Sequence, residues 1–162
     1  MLRRAWVPRG SRPVARQCPG YDWLYVYAFI RPSDGETFWL FMPTVSVEAF
    51  QLALDEFAQF ASAGPDHQVV LVVDGAGWHT SRQLNVPEGL HLLKLPPYSP
   101  ELQPVERLWP LLREALANRP VANLSQLEAR LIHRVKALKP RKDYLSGLVQ
   151  FHWWKDAERP IV

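Results

Sequence analysis

The sequence predicts an α/β fold: a mixed β-sheet with helices packed over it. Three observations lead there. The periodic segments run strand, strand, helix, strand, strand, helix, helix. The stretch from Gln68 to Val73 is apolar after its first residue, as a strand buried on both faces would be. A strand–helix–strand passage into such a strand implies a parallel pair. At 162 residues one domain, residues 1–162, is the default, and 48% apolar residues suffice for an ordinary core. That composition excludes a disordered chain, and no apolar run approaches the length of a spanning helix.

The elements follow in order. Residues 1–20 hold Pro8, Gly10, Pro13, Pro19 and Gly20 and read as irregular. Trp23 to Ile30 and Thr37 to Met42 are aromatic and β-branched, and Asp34-Gly35 between them suits a hairpin turn. From Ser46 to Ser62 the period changes: Phe50, Leu54, Phe57 and Ala61 share one helical face, with Ser46 as cap and Gly64-Pro65 as stop. Gln68 to Val73 and Leu90 to Leu95 are the next strands. A helix is expected from Pro100 or Pro104 to about Asn118, kinked at Pro110. Ser125 and Glu128 form a capping-box pattern ahead of Leu127, Leu131, Val135 and Leu138. Pro140 ends that helix, and a last one runs from about Arg141 to Trp154. With 15 prolines, about 9% against a usual 5% or so, long uninterrupted helices are not expected.

Cys18 is the only cysteine, so an internal disulfide is impossible, and no Cys/His spacing suggests zinc; a reducing cytoplasm is the expected location. Met1 to Trp6 has charge but no apolar stretch behind it, unlike a signal peptide. The net charge of +3 hides a pattern. Residues 1–21 carry five arginines and no acid, residues 22–128 carry six basic and thirteen acidic side chains, and residues 129–162 carry eight basic and three acidic. Basic ends around an acidic middle suit a protein that grips phosphates at its periphery and gathers carboxylates at its centre, although a solvated basic tail would look the same.

Two carboxylates stand out. Asp74 follows the most apolar strand, beyond whose carboxyl end ligands bind in open α/β sheets; it reads either as a metal ligand or as a turn residue paired with Gly75. Glu106 falls in the first turns after Pro100 or Pro104, where it could serve chemistry or complement the helix dipole. Their surroundings decide between these readings. The segment Leu95-Pro96-Pro97-Tyr98-Ser99-Pro100-Glu101-Leu102-Gln103-Pro104-Val105-Glu106-Arg107-Leu108-Trp109 resembles the signature around the third acidic residue of DDE transposases of the bacterial insertion-sequence, mariner-type superfamily. Glu106 matches its catalytic carboxylate, and Gln103 stands where the pattern has Asn. Val72-Val73-Asp74-Gly75-Ala76-Gly77-Trp78-His79 resembles the family's D-x-A-x-x-H segment, with Asp74 at its second catalytic aspartate. The resemblance covers most of the chain, from Trp6-Val7-Pro8-Arg9-Gly10 through the helix at Ser125.

The resemblance implies a ribonuclease-H-like fold in which three carboxylates bind two Mg²⁺ ions, with Mn²⁺ as a substitute, to cut and join double-stranded DNA at transposon ends and targets. The chain departs from the pattern in one respect: the family's first aspartate precedes the W-x-P-x-G segment, and only five residues, none acidic, precede Trp6. Asp22 and Asp34 stand in the wrong places. The chain is therefore expected to be a C-terminal portion of the catalytic domain, its first strand partly or wholly missing and its DNA-reading N-terminal domain absent. It would derive from a decayed element or from a second reading frame joined to an upstream portion by frameshifting.

Inactivity alone, homo-oligomerisation when functional and low solubility from an exposed sheet edge are the matching expectations. Alternatives are a non-catalytic DNA-binding or oligomerisation remnant and a metal-dependent hydrolase of the same fold. Among supporting residues, His79 could orient phosphate or a metal-bound water, or cap the following helix. Trp109, three residues after Glu106, is expected to be core, and Tyr98 and Ser99 to shape a turn or touch DNA. Arg130, Arg134, Lys136, Lys139, Arg141 and Lys142 form a candidate phosphate-binding cluster, or a solvated helix face. Trp153 and Trp154 read as packing residues.

Overall fold

A computed structural model of the chain describes residues 7–11, 22–79 and 81–151. β1 (Tyr25–Arg31) and β2 (Glu36–Met42) form an antiparallel hairpin whose register runs from Tyr25–Met42 to Arg31–Glu36. Its turn closes on Gly35 at φ 74°, a left-handed conformation that glycine adopts without a Cβ penalty. The backbone of Lys142 packs where a Cβ would stand. Arg31 locks the turn through Asp34 Oδ2 at 2.6 Å and through Glu36, and Lys142 Nζ reaches Glu36 Oε1 at 3.1 Å. Hydrogen bonding from the Arg31 guanidinium holds the Asp34 carboxyl below its ordinary range. Asp34 is thereby committed to the turn.

The hairpin alternates with period two. Tyr27, Phe29, Phe38 and Leu40 face α1 (Val47–Phe60), while Val26, Ala28, Ile30, Trp39 and Phe41 face the C-terminal helices. α1 starts where the sequence places it: Ser46 Oγ accepts from the Ala49 N–H at 3.1 Å. Phe50 and Leu54 are buried on its inner face, and Phe57 stacks on Phe29 with ring centroids 4.4 Å apart. Ser46→Ala leaves that N–H without its partner and is expected to cost about 1 kcal/mol. Thermal unfolding should register it as a midpoint about 3 °C lower.

After α1 the chain enters β3 (Val69–Val73), which pairs in parallel with β4 (Leu90–Lys94). α1 covers Val69, Leu71, Val73 and Leu90, so the same helix lies against both strand pairs. The α/β class is as predicted, with antiparallel and parallel pairing both present under flanking helices. Among the described residues the strands form two separate two-stranded halves, β1–β2 and β3–β4, joined through α1 because no described strand lies hydrogen-bonded between them. β3 is also not buried on both faces. Val70 is 62% exposed and Leu93 of β4 is 55% exposed, since α1 covers only one side of this pair.

The predicted kinked helix over 100–118 is three shorter pieces. Pro100 opens a 3-10 turn (Pro100–Leu102), Pro104 opens a second (Pro104–Leu108), and Pro110 stands in the first turn of α2 (Trp109–Glu114). Each proline lacks the N–H that would continue the preceding ladder, so each begins a turn instead of bending one. α3 (Leu124–Leu138) is capped two residues earlier than predicted. Asn123 Oδ1 accepts from the Gln126 N–H at 2.9 Å, and Gln126 Oε1 accepts from Ala122 N–H at 2.6 Å, which leaves Ser125 inside the helix. α4 (Lys142–Val149) follows the break at Pro140. Trp153, Trp154 and the expected end of that helix lie outside the described residues, as do Trp6 and Cys18.

Leu108, Leu138, Leu145 and Val149 form a cluster with almost no exposure on the hairpin face opposite α1, and Leu112, Leu131 and Val135 extend it. The hairpin is thus sandwiched between α1 and the C-terminal helices. No described helix is long and apolar enough to cross a membrane.

Candidate active site

β3 and β4 run in parallel, so the chain leaves both at the same edge. Leu95 N–H donates to Val73 O at 2.9 Å, and Asp74 begins the loop beside it. Asp74 turns back on itself: its Oδ1 accepts from Ala76 N–H at 3.1 Å, an Asx turn that fixes the carboxylate. The same oxygen lies 2.6 Å from His79 Nδ1. His79, on a 3-10 turn (Gly77–His79), is itself held from behind, its ring 4.2 Å from that of Phe50 on α1 and edge-on to Trp78. The side chain of Asp74 is 52% exposed and that of His79 only 14%. A packed imidazole thus orients an accessible carboxylate. His79 resolves as the partner of Asp74.

Glu106 lies in the Pro104–Leu108 turn between buried Val105 and Leu108, which anchor it on either side. Its Oε1 accepts from Trp109 Nε1 at 3.1 Å, and the Trp109 ring meets Trp39 edge-on at 6.2 Å. Trp109 therefore packs as predicted and also aims Glu106. The expectation that Glu106 heads an α-helix is corrected to a 3-10 turn, since α2 begins only at Trp109.

Asp74, His79, Glu106 and Trp109 all line one cavity of about 990 Å³ between β1 and β3, with Phe50 and Phe57 of α1 along it. The two predicted carboxylates, 32 positions apart in the chain, thus both line this cavity. Both are hard oxygen donors of the kind Mg²⁺ prefers, each steadied by an N–H or imidazole. Among the described residues, no three His, Cys, Asp or Glu side chains gather closely enough to hold a metal by themselves. His79→Ala removes the group that orients Asp74 and is expected to lower Mn²⁺ affinity about 10–100-fold, read by electron paramagnetic resonance of free Mn²⁺.

The predicted basic cluster, Arg130, Arg134, Lys136, Lys139, Arg141 and Lys142, sits elsewhere, and none of these six lines the cavity. Arg130 donates to Arg119 O at 3.0 Å and Arg134 to Leu111 O at 2.9 Å, tying α3 to the segment before it. Lys142 pairs with Glu36, Arg141 lies over the Tyr144 ring, and Lys139 lies 5.9 Å from the centroid of Phe60. Lys136 stands exposed in the last turn of α3. Tyr98 is fully exposed at φ 59°, a left-handed conformation uncommon for a bulky residue, in the loop that leaves β4 at the Asp74 edge. Phe50 and Trp78 at the cavity were not foreseen. Phe50 read as helix core, and nothing in its spacing pointed at His79.

Over residues 1–128 the chain matches the family described as DDE superfamily endonuclease. A protein of Sinorhizobium fredii (strain NBRC 101917 / NGR234) named uncharacterized protein y4pE/y4sA is 39% identical over 98 residues, spanning 60% of this chain and 71% of that protein. No solved structure matches.

Proposed function

We propose, from the premise that this chain belongs to the DDE superfamily endonuclease family, that it is a transposase portion for metal-dependent DNA cleavage and strand transfer at transposon ends. The observation that carries the reading is that Asp74, at the edge where β3 ends, and Glu106 line one cavity. In this reading the two carboxylates hold Mg²⁺, or Mn²⁺ in its place, together with a third carboxylate supplied by an upstream portion of the transposase. A bound divalent ion supplies activation of water or a 3′-hydroxyl and stabilisation of the leaving oxygen. His79 keeps the Asp74 carboxylate turned toward the cavity, Trp109 does the same for Glu106, and Tyr98 offers a ring face on which a DNA base can stack. Lys136, Lys139 and Arg141 stand on the C-terminal helices, where phosphates of double-stranded DNA can reach them. The functional assembly is a homo-oligomer in the cytoplasm, on the nucleoid when bound to DNA, with residues 1–162 as one catalytic-domain portion.

Alone, the chain is inactive, because two carboxylates hold a pair of ions poorly. Supercoiled plasmid is expected to stay uncut by the purified chain in Mg²⁺ or Mn²⁺; robust cleavage abolished by Asp74→Ala would overturn this. Adding the polypeptide encoded immediately upstream is expected to produce cleavage that needs both Asp74 and Glu106. A second reading, a non-catalytic oligomerisation or DNA-binding remnant, draws on the two half-sheets, which no described strand joins. It prevails if that mixture binds DNA and leaves it intact.

A further inference from the structure

We propose that three protein donors, the Ala76 N–H, the His79 imidazole and the Trp109 indole, select the ion that the two carboxylates take. They occupy one oxygen of each carboxylate, so Asp74 and Glu106 each offer an ion a single oxygen, which suits Mg²⁺ or Mn²⁺ and disfavours Ca²⁺. The inference rests on the reading of Asp74 and Glu106 as metal ligands and adds what decides between ions. The occupied oxygens carry it. Asp74 Oδ1 accepts twice, from Ala76 N–H at 3.1 Å and from His79 Nδ1 at 2.6 Å. An ionised carboxylate only accepts, so Nδ1 carries the proton, and the two bonds use both lone pairs of Oδ1. Glu106 Oε1 accepts from Trp109 Nε1 at 3.1 Å. In both residues the donors fall on one oxygen and leave Oδ2 or Oε2 to the ion.

None of the three donors yields easily. The Ala76 N–H belongs to a turn that the Asp74 side chain itself closes. The His79 ring lies 4.2 Å from that of Phe50 and edge-on to Trp78. The Trp109 ring meets Trp39 edge-on at 6.2 Å, against the cluster that holds Leu108. A cation drawing on both oxygens of either carboxylate would face N–H hydrogens, which carry partial positive charge. It would bind that way only by opening the turn or displacing a packed ring.

The ions differ in what they ask of a carboxylate. Ca²⁺ gathers about six to eight oxygens in a flexible shell and readily takes two from one carboxylate. Mg²⁺ keeps a strict octahedron with several waters and draws little from any single carboxylate. The three donors therefore cost an octahedral ion almost nothing, since it uses the oxygen they leave, and they deny Ca²⁺ a second oxygen from each residue. Groups that bond to metal ligands shift metal affinity by about 10–100-fold, enough to decide between two ions of equal charge. Trp109 is thus a specificity-determining residue as well as the one that aims Glu106.

The test measures Mn²⁺ and Ca²⁺ binding to the full chain without DNA, Mn²⁺ by electron paramagnetic resonance of the free ion and Ca²⁺ by its competition with Mn²⁺. The unaltered chain is expected to hold Mn²⁺ about tenfold more tightly than Ca²⁺. Trp109→Phe keeps a ring against Trp39 and removes the N–H. The ratio of its Kd for Ca²⁺ to its Kd for Mn²⁺ is expected to fall about tenfold. His79→Phe keeps a ring against Phe50, is expected to shift the ratio in the same direction, and takes the place of Trp109→Phe if circular dichroism shows that variant unfolded. A purely structural role weakens both ions alike, so an unmoved ratio in the folded variant overturns the proposal. An unaltered chain that holds Ca²⁺ as tightly as Mn²⁺ overturns it too, whether or not either variant folds. An unaltered chain that binds no Mn²⁺ at all overturns the functional reading and the selection with it, whereas Mn²⁺ bound with an unmoved ratio overturns the selection alone.

Discussion

Replacing Asp74 with asparagine is expected to lower the affinity of the chain for Mn²⁺ by about 100-fold or more, with the thermal midpoint nearly unchanged. An amide of the same shape can still accept from Ala76 N–H and meet His79, so the Asx turn survives. What is lost is the negative charge and a hard anionic ligand, on which Mg²⁺ and Mn²⁺ binding depend. A 100-fold loss corresponds to about 2.7 kcal/mol, a modest share for one of two charged ligands. The side chain is 52% exposed, so the substitution opens no cavity in the core. Glu106→Gln should behave alike. The double variant should lose little beyond either single one, because ligands of one site act as a unit. Mn²⁺ affinity that survives Asp74→Asn would separate this carboxylate from the metal and remove the basis of the functional reading.

The local setting of the two acids was legible before the structure, although only the resemblance singled them out from a turn residue and a dipole partner. Asp74 ends an apolar strand and precedes Gly75, which places it in a loop at a sheet edge whatever the strand's neighbours are. Glu106 follows a run of prolines that forces a short turn, and Trp109 three residues on can reach it. The hairpin was legible from Asp34-Gly35, and α1 from a single helical period with a serine at its start.

What stayed hidden is non-local or a competition between near equals. Periodicity says that residues 69–73 form a strand and says nothing of which strand lies beside it, so the division of the sheet was invisible. Asn123 and Ser125 are both good caps. The nearby Gln126 decides for Asn123 by closing back on Ala122. Pro110 was read as a kink within one helix, whereas three prolines at positions 100, 104 and 110 leave no α-helical ladder long enough to be kinked. The basic residues of 130–142 cluster in sequence, yet Arg134 turns to the Leu111 carbonyl and Lys142 to Glu36, because a helix distributes neighbours over different faces.

The split sheet also explains why so much weight falls on one leucine. With no described strand pairing the halves, Glu106 is held through the turn that ends at Leu108, which packs between the hairpin and the C-terminal helices. Leu108 is fully buried among Leu138, Leu145 and Val149 and is the last residue of the turn that carries Glu106. Leu108→Ala removes three carbons from that cluster, and the surrounding helices cannot close the space without moving. A loss of about 2–5 kcal/mol is expected, as for leucines truncated in other cores, and a midpoint lower by about 5–15 °C. The effect should reach the site as well. Loosening this anchor frees Trp109 from Trp39 and Glu106 from the Trp109 indole, so Mn²⁺ affinity should fall at temperatures where the variant is still folded. Leu54→Ala provides the contrast. Leu54 is equally buried, but it belongs to the α1 cluster, which does not hold Glu106. A Leu108 variant that matches Leu54→Ala in stability yet keeps full Mn²⁺ affinity would show that the carboxylate is positioned by something other than its packing.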